Sequence, residues 1–224
     1  MNTRSILLAI ALAPVALIGA VGPARPGEWP ARVVTVSGQA ELSKKGTPGW
    51  SAAALRAEVG PGDAARTLGG RLTLRTASGQ AVRLAPSSRL TLLEGGDAER
   101  PTRVRIDGGS VWVAVMPASP PAEQIEVRAG ALSCTVTGSG VGITLARDGS
   151  VLVRVYHGAA ECAGDAQRRW IRALSGEQEM LVVGGGMPGD VRALVRDKPD
   201  AAWVKWNEEQ DFAGGYGGRP PAPR

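Results

Sequence analysis

Histidine is nearly missing from this chain of 224 residues, which holds one, His157. A single imidazole excludes His-based metal clusters and leaves little material for a nucleophile–base relay. It precedes Gly158 at the end of a strand-like pattern, so it reads as a surface turn residue. Aromatics are 4 % of the chain, with one Phe, so a core has to be built from Val, Leu, Ile and Ala. The two cysteines, Cys134 and Cys162, are too far apart for a CxxC redox pair. Phosphate-cradling chemistry is missing as well, because Gly184-Gly185-Gly186 is not followed by Lys-Ser/Thr. Gly138-Ser139-Gly140 lacks the flanking helix of a nucleophile elbow. Asp63, Asp97, Asp107 and Asp148 all adjoin Gly, where turn-forming roles account for them better than acid–base work. The sequence therefore points to binding without catalysis, metal or cofactor. An enzyme using carboxylates brought together by the fold is the remaining catalytic alternative.

Lysine is scarce among the 26 basic residues, only Lys44, Lys45, Lys198 and Lys205, and the rest are Arg in a chain of formal charge +5. The arginines are dispersed along alternating patterns and accompany no nucleic-acid-reading motif, so they are read as solvated strand faces, with no nucleic-acid partner. Attraction to anionic envelope polymers or lipid headgroups is the second use for such a charge. Hydrophobic residues reach 43 %, enough for a real core, and 31 Gly residues spread along the chain imply many tight turns.

The first residues carry a location signal. Arg4 precedes an apolar run from Ile6 to Ile18, and small residues follow, with Ala20 and Ala24 both placed for cleavage. This is the layout of a secretory signal peptide over residues 1–24, an uncleaved anchor being the alternative. The mature protein is expected in the periplasm or on the cell surface, touching a membrane only through the signal peptide. In that oxidising setting an even cysteine count suggests one Cys134–Cys162 disulfide, with two buried free thiols as the alternative.

From Arg32 onward short alternating segments are separated by turn signals. Arg71-Leu72-Thr73-Leu74-Arg75 turns through Ser78-Gly79 into Ala81-Val82-Arg83-Leu84. Asp107-Gly108 and Asp148-Gly149 read as hairpins. Each segment puts Leu, Val or Ile on one face and Arg, Thr or Ser on the other, as a sheet with one buried face requires. The predicted fold is all-β, a domain of many short strands over residues 25–198. Two helical pieces are predicted. One is the Ala-rich Ser51 to Glu58. The other is a short C-terminal helix over residues 199–213, opened by Asp200 after Pro199 and followed by a Gly/Pro-rich tail over 214–224 that is expected to be disordered. Trp203 and Trp206, three apart, share one face of that helix as partner-binding candidates or as a seal on the core.

The order of several motifs resembles the FecR-type domain. Gly38-Gln39-Ala40, Trp50 and Val59-Gly60-Pro61-Gly62-Asp63 with Arg66-Thr67 resemble its opening, and Val82-Arg83-Leu84-Ala85-Pro86 with Ser88-Arg89-Leu90 its middle corner. Gly108-Gly109 with Val111-Trp112-Val113, then Ile125-Glu126-Val127, then Val153-Arg154-Val155 before Gly158 follow in order, so the likeness spans about 33–161. Ser133 to Gly140 departs from the family's usual step there. Gly62, Asp63, Arg66, Thr67 and Pro86 are read as structural motif residues, because Gly62-Asp63 makes a tight turn whose carboxylate accepts backbone N–H bonds. The resemblance implies an elongated β-solenoid-like or roll-like periplasmic domain, known from sensors that relay an outer-membrane transport signal to a sigma factor. Such regulators place a cytoplasmic segment and a membrane span ahead of the domain, whereas here it follows the signal peptide. The first expectation is accordingly a module that binds an envelope protein or glycan, and the second a signalling component acting through a membrane-spanning partner.

Overall fold

Alternation of apolar and polar residues governs this chain wherever it is ordered into strands, and the computed structural model shows where the two faces go. It describes residues 30–96, 100–116, 124–164, 170–184, 188–196 and 200–217. The expected signal peptide, Asp97 and residues 218–224 of the expected tail lie outside the described residues. The elements are β1 (Ala31–Ser37), β2 (Ala40–Ser43), β3 (Ser51–Ala52), β4 (Glu58–Val59), β5 (Ala64–Thr67), β6 (Arg71–Thr76), β7 (Ala81–Leu84), β8 (Arg89–Glu94) and β9 (Thr102–Ala114). They continue as β10 (Ile125–Ala129), β11 (Leu132–Val136), β12 (Val141–Leu145), β13 (Val151–Val155), β14 (Ala159–Gly164), β15 (Ile171–Ser175), β16 (Gln178–Val182), β17 (Arg192–Ala193) and α1 (Ala201–Ala213).

The fold is all-β, an open sheet rather than a barrel, with one short helix at its C-terminal end. Its strands form two layers. The first runs β4-β1-β6-β7-β9-β12-β13-β16-β17. The second runs β3-β2-β5-β8-β9-β10-β11-β14-β15. β9 belongs to both: its first half pairs with β8 and β10, its second with β7 and β12. All pairs are antiparallel except β9–β10. The pairing gives no support to a solenoid, whose coils would stack parallel strands; here hairpins cross repeatedly between two layers.

Two sequence expectations are corrected. Asp107-Gly108 does not make a hairpin, because β9 continues through it for 13 residues and changes layer there instead. Gly109 permits the passage: its φ is +79°, and a Cβ would lie 2.5 Å from Ser88 Oγ and 2.6 Å from the Ser87 carbonyl. Ser51 to Glu58 is not a helix either. Its two ends pair with β2 and β1, and Arg56 N–H and the Ala57 carbonyl bond Val33, so strand partners claim the groups a two-turn helix would need.

One hydrophobic cluster fills the space between the layers. Leu72, Leu74, Val82 and Leu84 come from the first, and Leu90, Leu92, Val104, Ile106 and Val127 face them from the second or from β9. Cys134 and Cys162 sit directly opposite one another on β11 and β14, fully buried, and are joined by a disulfide. A second, smaller cluster of Ala81, Trp112, Ala114, Tyr156, Val204 and Tyr216 lies on the outer side of the first layer, beneath α1.

Candidate binding site under the C-terminal helix

Strand register lines up one row of outward side chains across the first layer. Thr73 faces Arg83, Arg83 faces Trp112, Trp112 faces Gly142, Gly142 faces Arg154, Arg154 faces Glu179, and Glu179 faces Arg192. On an ordinary solvated face these groups would be wet. Here Trp112 is 0 % and Arg83 is 3 % exposed. Gly142 leaves room for the stack of Trp112 on Tyr156, whose ring centroids are 4.8 Å apart.

The cover is α1, and its contacts are mainly polar. The helix buries only Val204, Asn207 and Asp211. The Asp211 carboxylate, 0 % exposed, accepts from Arg83 Nη1 at 2.5 Å, from Trp112 Nε1 at 2.9 Å and from Ser139 Oγ at 2.9 Å. His157 Nε2 stands 3.3 Å from the same carboxylate without the alignment of a hydrogen bond. Burial of a charge is costly unless it is paired and hydrogen-bonded, and Asp211 has one cation and two neutral donors. Arg83 Nη1 also reaches Asn207 Oδ1 at 3.4 Å, and Arg154 Nη1 donates to Asp200 at the helix start at 2.9 Å. Tyr216, in the stretch after the helix where disorder is expected, is instead buried and donates its hydroxyl to the Gly79 carbonyl.

Ser139, His157 and Asp211 have the composition of a catalytic triad without its order. The carboxylate itself accepts the Ser139 hydroxyl's hydrogen bond and His157 Nε2 has no hydrogen-bond partner, so the hydroxyl is not bonded to that ring nitrogen as a base. Ser139 is also only 3 % exposed. The arrangement holds a carboxylate in place and does not activate a nucleophile. Among the described residues, no group of three or more His, Cys, Asp or Glu is placed to hold a metal ion.

Trp203 and Trp206 lie half-buried on α1, stacked with centroids 5.4 Å apart, under the Arg71 guanidinium at 5.9 and 5.0 Å. Only Trp203 packs against the smaller cluster. The other candidates lie on the opposite layer. Gly62 (φ +89°) turns the chain into Asp63, which accepts from Lys44 Nζ at 2.7 Å, Lys45 N at 2.9 Å and Gly60 N at 2.9 Å. Burial pushes the Asp63 carboxyl up, but these donors and the Lys44 charge outweigh it and hold it below the usual carboxylate range. Thr67 Oγ accepts from Ser88 N at 3.0 Å and donates to the Ala85 carbonyl, closing the corner at Pro86. Arg66 pairs with Glu41 at 2.5 Å and lies over the Trp50 ring. The remaining charges of that face also alternate in sign, as in Glu94–Arg103–Glu126–Arg128. A groove of about 490 Å³ lined by Arg103, Glu126, Arg128 and Glu161 is thus largely self-neutralised.

The open edge β15 is less available than its position suggests. Gly164 N–H bonds the Trp170 carbonyl, so alternation turns the backbone of Ile171, Ala173 and Ser175 outward. Arg172 Nη1 already caps the Ile171 carbonyl, and Gln178 takes the Ser175 N–H. Sequence reasoning missed the Arg83–Trp112–Ser139–Asp211 set because each strand residue alternates like any solvated one. His157 is corrected from a surface residue to one packed against the helix. The only local signal was Asp211, four and eight positions beyond Asn207 and Trp203 on one helix face.

Residues 63–161, from the start of β5 into β14, match the FecR protein family. This chain carries a FecR domain. Arg83, Trp112, Ser139 and His157 fall inside it, and α1 lies beyond it. A crystal structure of a candidate anti-sigma factor from Parabacteroides distasonis ATCC 8503 aligns with a TM-score of 0.51 at 15 % identity, over 67 % of this chain and 73 % of that one. A second such structure from the same organism gives 0.49 at 15 % identity, and this chain spans 62 % of its length. No curated protein matches the chain. Over the aligned part, this chain thus shares its fold with the first of these structures. No helix among the described residues is long and apolar enough to cross a membrane.

Proposed function

We propose that this protein is a sensor component of envelope signalling, which acts outside the cytoplasm by binding a membrane-spanning partner and performs no catalysis. The FecR domain over residues 63–161 carries this reading. The name of the structural neighbour, a candidate anti-sigma factor, agrees with it. The self-paired charges of the second layer argue against glycan or polyanion capture there, and so favour signalling over a general binding module. Export through the N-terminal signal is part of the proposal.

The test joins location to output. Crosslinking of the tagged mature protein in its own envelope is expected to capture a membrane-spanning protein. Deleting the chain is expected to change transcription from a sigma-factor-dependent promoter, with restoration by the exported form only. Capture of glycan alone, with unchanged transcription, would return the reading to a binding module. Hydrolysis of an envelope substrate by the purified protein would overturn both.

A further inference from the structure

The first layer is complete without α1. Its strands pair with one another, and no residue of the helix belongs to the main core. What α1 covers is a built acceptor. Arg83 from β7, Trp112 from β9 and Ser139 from the turn before β12 converge on one carboxylate that the helix supplies. Charge matches across the contact. The covered face and its rim carry Arg71, Arg75, Arg83, Arg154 and Arg196, with Glu179 and Glu177 paired to the last two, while α1 and its first flanking residue carry Asp200, Glu208, Glu209 and Asp211 against Lys205. Val204 is the helix's one buried apolar side chain, with half-buried Trp203 packed beside it, so polar contacts hold much of the helix. A buried ion pair of this kind fixes geometry more than it adds stability, because both charges lose their hydration.

We infer that the outer face of the first layer is a receptor for an acidic helix, and that α1 occupies it as an exchangeable strap which a partner's helix displaces. The ligand chemistry is specific. A partner helix must place a carboxylate against Arg83, Trp112 and Ser139, with an aromatic residue about two turns earlier, where Trp203 now sits. This deepens the signalling reading and rests on it only for who the partner is.

The test uses the mature full-length chain and a fluorescein-labelled peptide of residues 200–217. Asp211→Asn removes the strap's charge and leaves the acceptor intact, whereas Arg83→Ala removes the acceptor. The Asp211→Asn protein is expected to bind the peptide at least about tenfold more tightly than the wild type, whose acceptor is filled. The Arg83→Ala protein is expected not to bind it, and neither protein should bind a peptide carrying the Asp211→Asn change. Equal binding to both variants, or binding to neither, would overturn the proposal. Hydrogen exchange on the unaltered protein keeps the question open to refutation if a variant misfolds. Amides of α1 should exchange through an opening not shared by β7 and β9, and exchange only together with those strands would refute an independent strap. None of these results depends on capture of a cellular partner, so a failure here and a failure of the signalling reading are distinguishable.

Discussion

Reducing the Cys134–Cys162 bond removes no atom from the core, so its effect on stability isolates the link itself. The two residues end an excursion: after β11 the chain leaves the second layer, forms the β12–β13 hairpin in the first, and returns as β14 beside β11. In the native state that loop is already held by strand pairing on both sides, so the bond acts mainly on the unfolded chain. With a sequence separation of 28, the chain-entropy relation gives about 12 cal/mol/K, or about 3.6 kcal/mol at 25 °C. For a urea slope of about 2 kcal/mol/M, the unfolding midpoint should fall by about 1.8 M. The assay is equilibrium urea unfolding followed by circular dichroism, with one sample reduced while unfolded and refolded under reductant. A reduced midpoint that matches the oxidised one at equal slope would refute the argument. It would mean that the unfolded chain gains no freedom when the loop opens.

Further outcomes follow from other sites. Gly142→Ala should be neutral or slightly stabilising, since its Cβ would sit 3.5 Å from the Tyr156 ring. Gly142→Leu should wedge the Trp112–Tyr156 stack apart and cost about 1–3 kcal/mol in thermal or urea unfolding. Gly158→Ala should cost about 1–3 kcal/mol, because φ is +85° and the new Cβ would lie 2.7 Å from Ser139 N, a backbone atom that cannot yield. Asp63 has a lowered folded pKa, so its contribution is full above the unfolded value near about 4 and is lost as pH falls through the folded one. Lys44→Ala should therefore shift acid unfolding to higher pH, as followed by circular dichroism. Replacing Trp203 and Trp206 together by Ala should cost less than the roughly 3–5 kcal/mol of a core Trp, since both are half-buried.

Alternation along each strand depends on which neighbours are apolar, a local property, and so it is legible in the amino-acid order alone. Val151, Val153 and Val155 face inward and Leu152 and Arg154 outward, as period two dictates. Ser78-Gly79 and Asp148-Gly149 turn the chain because local φ requirements are written in those residues. The cysteine pair and the order of FecR motifs are equally readable. Competition for backbone groups between distant segments is not. Only tertiary pairing decided that Asp107-Gly108 carries a strand across layers, and that the Ala-rich stretch from Ser51 is tied at its two ends to β2 and β1 instead of coiling into a helix. The acceptor under α1 belongs to the same class. Arg83 and Asp211 are 128 residues apart, and an outward-facing arginine has the same sequence signature whether water or a helix covers it. Which of the two it met was settled by where the last helix came to rest.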